Sequence, residues 1–405
     1  MLTRSSRRQG WRRGLAVLTV ASVLALVALA EPARADTIRD NQQWVLDMLN
    51  VPSVWADTEG RGVTVAVIDS GVNSSVSDLT GSVTTGPDYT GVRTSRSSSD
   101  WGVHGTWMAS LIAGHGHDGG GNGVIGIAPH ARVLSIRVIP DRADPNYTSY
   151  EREPENRIQQ SLADGINYAV SHGAQVISMS IGYSAPSGTV RQALQRAYDR
   201  GIVVIASAGN SGDQSGTSRS GGAPESFPAN YPGVISVGAV SSSGAVAGFS
   251  SDNLSVQVAA PGVSVPAQGR DGQYWWVSGT SPACALVAGV AALIKSVYPR
   301  LAPDLVASAL TTTTTDKPAH GYDSQVGFGI VDAEAALVRA GKLDQSRPAS
   351  GGIAATTGFR GAAAPEPVSP RGSGALIGFA VLALFSLLLA GAAGLRLGVL
   401  RRGNQ

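Results

Sequence analysis

Four polar residues, each at the edge of an apolar segment, are the candidates for chemistry in this sequence. Asp69 ends VTVAVID, His104 lies in DWGVHGTWMASLIAG, Asn210 ends GIVVIASAGN and Ser281 lies in SGTSPACALVAG. Each has an ordinary structural explanation, because Asp and Asn are common in turns and serine commonly caps a helix. A serine, a histidine and a carboxylate are nevertheless the groups that nucleophilic acyl transfer requires, and an amide donor could stabilise the oxyanion.

The segments that must position these residues alternate between strand-like and helix-like patterns. Short β-branched apolar runs predict buried strands at 63–68, 131–138, 176–179, 203–206 and 234–240. Helical spacing is found at 104–113, 158–172, 189–200 and 283–297. The alternation predicts an α/β fold with a mostly parallel sheet, whose carboxyl edge gathers the chemistry. The polar segment 141–156 is predicted to be an exposed loop.

Pro282, directly after the candidate nucleophile, distinguishes between classes of hydrolase. In α/β-hydrolases the residue after the nucleophile donates its N–H to the oxyanion hole, and proline has no N–H. The order Asp, His, Ser also differs from the order in that fold. The sequence therefore disfavours an esterase or lipase of this class.

Seven dispersed segments together resemble the subtilisin-like serine proteases. They are VAVIDSGV, HGTWMASLIAG, SMSIG, SAGN, YPGVISVGAV, FSSDNLSVQVAAPG and SGTSPACALVAG, in this order along the chain. The resemblance implies a subtilisin-like three-layer fold around a central, mostly parallel sheet. It implies that Ser281 is the nucleophile of a serine endopeptidase, that His104 is its general base and that Asp69 orients the histidine.

The same resemblance assigns residues to the oxyanion hole and to the substrate cleft. Asn210 and the backbone N–H of Ser281 would form the oxyanion hole. Ser180, Ile181 and Gly182 would be one extended edge beside the bound peptide, and Ser207, Ala208 and Gly209 would be the other. Such edges would pair with the backbone of a protein or peptide substrate.

Two residues near the site depart from the family pattern. Ala285 stands where relatives usually carry a proline, and Trp107 stands where smaller or imidazole side chains are common. Ala285 and Pro282 keep open a second hypothesis, in which the chain is a non-catalytic or weakly active scaffold component of a secretion machine. Cys284, the only cysteine, allows no intrachain disulfide and is expected to be a buried apolar side chain.

Both ends of the chain carry membrane-targeting patterns. Residues 1–35 combine an arginine-rich start, an apolar region and an Ala-Arg-Ala pattern, which predicts a signal peptide, with an uncleaved anchor as the alternative. The uncharged apolar run 374–395 predicts a transmembrane helix, and arginines in 396–405 predict a cytoplasmic tail. The Gly-, Ala-, Pro- and Ser-rich segment 346–373 is predicted to be a flexible linker. A peptidase domain at 51–345 would then lie outside the cell membrane.

Residues 36–50 form a predicted N-terminal extension that is too short for a propeptide domain. This arrangement is similar to that of the mycosins, which are membrane-anchored subtilisin-like proteases associated with type VII secretion. The resemblance implies a type VII membrane complex as a partner. The apolar cluster Trp44, Val45, Leu46 and Leu49 predicts that the extension packs on the domain surface and does not block the cleft.

The composition argues against several other classes of protein. The chain has 405 residues, of which 43% are hydrophobic and 15% charged, and this balance favours a globular domain over disorder. The formal net charge is only +2 and no basic stripe is present, so nucleic-acid binding is not expected. No cofactor is indicated, and no acidic cluster indicates calcium. His115 and His117 could bind a metal, but an exposed polar loop is the favoured interpretation.

Overall fold

A computed structural model describes residues 37–212 and 223–346 of the chain. These ranges contain nearly all of the predicted extension and peptidase domain. The predicted signal peptide, linker, transmembrane helix and cytoplasmic tail lie outside the described residues.

Seven parallel strands form the central sheet, and two short antiparallel pairs accompany it. The strands in chain order are β1 (Thr64–Asp69), β2 (Val83–Asp88), β3 (His115–His117), β4 (Asn122–Ile125), β5 (Arg132–Arg137), β6 (Val176–Met179), β7 (Val203–Ser207), β8 (Val234–Val240), β9 (Val256–Pro261), β10 (Val265–Gln268) and β11 (Tyr274–Val277). The large sheet has the order β2-β5-β1-β6-β7-β8-β9. The pairs β3–β4 and β10–β11 are antiparallel.

The helices cover both faces of the sheet. They are α1 (Thr37–Met48), α2 (Val51–Val54), α3 (Val103–Ala113), α4 (Tyr147–Glu151), α5 (Glu155–Ser171), α6 (Gly188–Asp199), α7 (Thr280–Val297), α8 (Pro303–Thr312) and α9 (Ala333–Gln345). Helices α3 and α7 pack against each other on one side of the sheet, and α5 packs against α6 on the other.

Strand β1 shows how the sheet divides the hydrophobic core. Successive side chains of a strand point to opposite faces. Val65 and Val67 therefore belong to the core that contains α3 and α7, whereas Ala66 and Ile68 belong to the core that contains α5 and α6. The resulting layers of helix, sheet and helix confirm the predicted three-layer α/β fold.

Helix α7, which begins at the candidate nucleophile, is the central helix of the larger core. It contacts α3 and the strands β6, β7 and β8. Among the described helices it alone is long and apolar enough to cross a membrane, but 83% of it is buried inside the domain. Gly289 allows its close approach to Ile127, since a Cβ at this glycine would lie 2.5 Å from the Cβ of Ile127.

The five predicted strands are present with bounds within one residue of those expected. Strands β2 and β9 and the two antiparallel pairs β3–β4 and β10–β11 were not predicted. Strand β2 is hard to recognise because it lies at the sheet edge, its two threonines are exposed, and it contains Gly86 and Pro87.

The prediction of an exposed loop at 141–156 holds for most of its residues but misses a short helix and three buried side chains. This segment contains α4, and Asp141, Asp144 and Tyr150 are buried. Two carboxylates of this polar segment serve as buried hydrogen-bond acceptors. The segment is therefore part of the frame that holds the candidate site.

The N-terminal extension is integrated into the domain through α1. Val45, Leu46 and Leu49 are buried in the larger core, so the extension contributes to the interior and does not merely cover the surface. The Gln42 side chain donates to the backbone oxygen of Ile125 at 2.6 Å and accepts from its N–H at 3.0 Å. These bonds attach α1 to the edge of β4.

Candidate active site

Asp69 and His104 are in direct contact at the carboxyl end of β1. The Nδ1 atom of His104 lies 2.8 Å from Oδ1 and 3.0 Å from Oδ2 of Asp69. The aspartate side chain is 1% exposed and the histidine side chain is 30% exposed. A carboxylate that accepts from Nδ1 leaves Nε2 as the nitrogen that can take a proton from a nucleophile.

The backbone around His104 is fixed by contacts that require a glycine. Gly105 follows the histidine in α3, and its N–H donates to Oγ of Ser70 at 3.0 Å. A Cβ at Gly105 would lie 2.2 Å from the backbone oxygen of Gly71. The HGT sequence therefore allows the helix start to pack directly against the turn after β1.

Asp141 supplies the cap that the start of α3 lacks. Gly102 precedes this helix in a left-handed conformation and has no side chain with which to cap it. The Asp141 carboxylate accepts from the N–H of Val103 at 2.9 Å and from that of His104 at 2.8 Å. Negative charge at a helix N-terminus is favourable, so this carboxylate stabilises the turn that carries the histidine.

The pKa of His104 is the net result of opposing effects. Burial lowers the pKa of the imidazole, but the charge and hydrogen bond of Asp69 and the charge of Asp141 raise it more. The pKa of His104 is therefore raised above its ordinary value. Burial also raises the pKa of the Asp141 carboxyl, against the hydrogen bonds from His104 and Val103, which lower it.

Ser281 occupies the first turn of α7, and Asn210 is connected to this turn through Thr280. The Oδ1 atom of Asn210 accepts from the N–H of Thr280 at 2.9 Å and from its hydroxyl at 3.0 Å. The Thr280 hydroxyl in turn accepts from the N–H of Gly209 at 3.2 Å. Because the amide oxygen is engaged, the amide nitrogen of Asn210 is the group that remains to donate to an oxyanion.

The two predicted substrate edges differ in whether their backbone groups are free to pair with a peptide. In the described part of the chain, the backbone groups of Ser180, Ile181 and Gly182 have no hydrogen-bond partner, which suits an edge that receives a peptide. Ser180 also donates its hydroxyl to the backbone oxygen of Ser281 at 3.3 Å.

At the second edge, backbone groups are already engaged within the protein. The N–H of Ala208 donates to Val237, the N–H of Gly209 to Thr280, and the oxygen of Gly209 accepts from Ser251. Ser207 lies at the end of β7 and is 5% exposed. The pairing of residues 207–209 with a peptide stays a prediction.

Cys284 does not compete with Ser281 as a nucleophile. Its side chain is fully buried in α7, and its sulfur lies 3.7 Å from both the Ser178 hydroxyl and the backbone oxygen of Met179. Burial raises the pKa of the Cys284 thiol to about 12, so the reactive thiolate is scarce at neutral pH.

His115 and His117 lie on β3, where the sequence favoured an exposed polar loop, so that interpretation is wrong. His117 Nδ1 lies 2.7 Å from Oδ1 of the buried Asp78, and His115 Nε2 lies 3.0 Å from the backbone oxygen of Thr80. Within residues 37–212 and 223–346, no group of three His, Cys, Asp or Glu side chains is arranged to hold a metal ion.

Sequence reasoning missed the residues that position the candidate catalytic groups. Asp141 and Thr280 each hold one of them, and both look like ordinary loop or cap residues in the sequence. Thr280 could have been noticed because it precedes the serine, but its bonds to Asn210 join positions 70 residues apart.

Comparison with known proteins identifies the family. The subtilase family model matches residues 60–329, which is more than half of the chain. The chain belongs to the subtilase family of serine endopeptidases. It is 36% identical over 282 residues to subtilisin DY of Bacillus licheniformis, with 69% of this chain and 92% of that protein covered. It is 32% identical to fervidolysin of Fervidobacterium pennivorans over 76% of this chain, but spans only 46% of that longer protein.

Two solved structures of mycosins share the fold. MycP1 from Mycobacterium smegmatis superposes with a TM-score of 0.60 at 30% identity, covering 73% of this chain and 84% of that chain. The MycP3 protease from the type VII (ESX-3) secretion system superposes with a TM-score of 0.61 at 30% identity, covering 73% and 87%. The predicted resemblance to subtilases and mycosins is thereby confirmed.

Proposed function

We propose that this subtilase is an active serine endopeptidase with Asp69, His104 and Ser281 as its triad and Asn210 as an oxyanion donor. The observation that carries the proposal is the double contact of His104 Nδ1 with the Asp69 carboxylate, made from a histidine that remains 30% exposed. A buried structural histidine would not need a free Nε2, whereas a general base does.

In this mechanism each residue has its own role in acyl transfer. His104 takes the proton of the Ser281 hydroxyl as this attacks the scissile carbonyl, and Asp69 stabilises the imidazolium that forms. The Asn210 amide and the Ser281 N–H stabilise the negative charge on the carbonyl oxygen. His104 then returns its proton to the leaving amine, and a water molecule releases the acyl group by the same route.

We further propose that the enzyme is anchored in the cell membrane by residues 374–395, with its domain outside and associated with type VII secretion. The apolar run followed by arginines supports the anchor and its orientation. The names of the MycP1 and MycP3 structures support the association, since both refer to type VII secretion systems.

A scaffold role without catalysis is the second candidate function, and Trp107 beside the histidine favours it. The ring centroids of Trp107 and His104 are 6.3 Å apart, which places a bulky indole at the catalytic base. An indole that excluded the substrate would leave a complete triad inactive. The scaffold hypothesis is therefore tested together with the enzyme hypothesis.

The test is active-site labelling of the full chain in detergent with a fluorophosphonate probe. An activated serine becomes labelled, so we expect labelling of the wild type and none of Ser281→Ala or of heat-unfolded protein. Cys284→Ala is the matched control within the same helix and should label normally. Absence of labelling in the folded wild type would contradict the proposed activity and favour the scaffold.

A further inference from the structure

Two tryptophans form an aromatic surface beside His104. The Trp107 ring meets the histidine ring edge to face, with centroids 6.3 Å apart and planes at 72°. The Trp275 ring lies next, with its centroid 6.2 Å from that of Trp107 and planes at 56°. Trp275 is 48% exposed, although large apolar side chains are usually covered. We call Trp107 and Trp275 the aromatic platform.

Trp275, the more exposed ring of the platform, is held in place by its surroundings. The indole N–H of Trp275 donates to Oδ1 of Asp271 at 3.2 Å. Gly269 leaves room for the ring, because a Cβ there would lie 2.6 Å from Trp275. A side chain fixed in this way loses little conformational freedom when a ligand binds, which is how binding surfaces are pre-organised.

The hairpin that carries Trp275 lies on the α3 side of the site. Strand β10 packs against α3, the helix of His104. At the hairpin turn, the backbone oxygen of Arg270 accepts from Asn73 at 2.8 Å, and its guanidinium donates to the backbone oxygen of Ser98 at 2.6 Å. The free peptide edge 180–182 instead follows β6, on the side of β1 away from β5.

We infer that the aromatic platform binds the side chain that follows the scissile bond and selects large apolar or aromatic residues there. The inference rests on the proposed function. In that mechanism His104 gives its proton to the leaving amine, so the leaving part of the substrate lies closest to the histidine and its neighbours. The acyl part is directed to the free edge at residues 180–182. An aromatic side chain gains from an exposed indole both by area burial and by ring stacking.

Trp276 provides a matched control within the same strand. It follows Trp275 directly on β11, where successive side chains point to opposite faces of the hairpin. It is 52% exposed, almost the same as Trp275. Neither of the ring contacts that build the platform involves Trp276. Replacing Trp276 therefore removes the same amount of exposed indole without changing the platform.

The experiment measures kcat/KM of the detergent-solubilised full chain on fluorescence-quenched peptides. The peptides differ only in the residue that follows the scissile bond, which is Phe, Leu, Ala or Gly. We expect the wild type to prefer Phe over Ala by about tenfold or more, the scale of a well-filled apolar pocket. Trp275→Ala should reduce this preference to about twofold, and Trp276→Ala should keep it. Thermal melting of each variant checks that the hairpin is folded.

The outcomes separate this inference from the proposed function. A wild type that labels with fluorophosphonate but shows no preference at this position overturns the inference alone. Equal losses in Trp275→Ala and Trp276→Ala do the same. A preference that depends on Trp275 but applies to the residue before the scissile bond overturns the leaving-group assignment. Failure of labelling overturns the proposed function and the inference with it.

Discussion

The carboxylate of Asp141 accepts the backbone N–H of His104 at 2.8 Å, while the side chain of the same histidine binds Asp69. The proposed catalytic base is thus held at two points, its backbone by the segment that follows β5 and its ring by the end of β1. Asp141 touches no expected substrate atom and acts through His104, so it is a positioning residue. Although Asp141 lies in a polar segment, its side chain is buried and contacts the start of α3 instead of solvent.

Replacing Asp141 should lower kcat strongly and the free energy of unfolding modestly. Asp141→Ala removes a helix cap, which costs about 0.5–2 kcal/mol. It also frees the turn that carries His104, and we expect kcat to fall about 10–100-fold, since small displacements of a catalytic group have such effects. Steady-state kinetics and thermal unfolding measure both. Asp199→Ala, at an exposed carboxylate at the end of α6, should change neither. A wild-type kcat in folded Asp141→Ala would remove Asp141 from the positioning role.

The acid limb of the pH profile should report His104. The base must be neutral, so kcat/KM rises with pH through the pKa of this histidine. Because that pKa is raised, the midpoint should lie above the ordinary value of 6.5. Asp141→Asn removes one of the charges that raise the pKa of His104, so the midpoint should move to lower pH. An unchanged midpoint in this variant would show that the charge of Asp141 does not act on the base.

The fold was largely predictable because its strands are buried on both faces. Runs such as 203–206 are apolar at every position, and such runs have few other interpretations. Strand β2 escaped prediction because half of it faces solvent at the sheet edge. Burial alone does not make a strand predictable, because the buried strands β9 and β10 also escaped prediction.

The candidate site was predictable only where each residue has a recognisable flanking sequence. Asp69 and His104 are 35 positions apart, but their flanking motifs identify both. Hydrogen bonds connect Asp141 with α3 and Thr280 with Asn210, and each joins segments that are distant in the sequence. Every Asp or Thr carries the groups that form such bonds. Nothing in the local sequence distinguishes such residues, so only the folded chain reveals them.

The oxyanion donor should depend on Thr280 for its orientation. Asn210→Ala should lower kcat about 10²–10³-fold, as removal of one such donor does in subtilisin. Thr280→Val removes the hydroxyl that Asn210 and Gly209 share, and we expect about a tenfold lower kcat with KM little changed, because only the transition state is affected. Thr280→Ser keeps a hydroxyl and should restore most of the rate. If Thr280→Val raised KM and left kcat unchanged, the residue would act on substrate binding instead.

Stability should depend strongly on the buried Arg137, which links the strand ends beneath the site. Its guanidinium, 1% exposed, donates to Asp88 at 2.7 Å and to the fully buried Asp144 at 2.9 Å. Arg137→Met would leave the Asp144 charge buried without its partner, so we expect a loss of about 3–5 kcal/mol in the free energy of unfolding. Chemical denaturation followed by fluorescence measures this loss.

The matched control for this prediction is Arg157, whose ion pair with Glu153 is exposed. Arg157→Met should cost less than about 1 kcal/mol, as exposed pairs do. The double variant Arg137→Met with Asp144→Asn should recover part of the loss, because it removes the unpaired charge. Equal costs for Arg137→Met and Arg157→Met would mean that water reaches the cluster, and the buried network would then not hold the strand ends together.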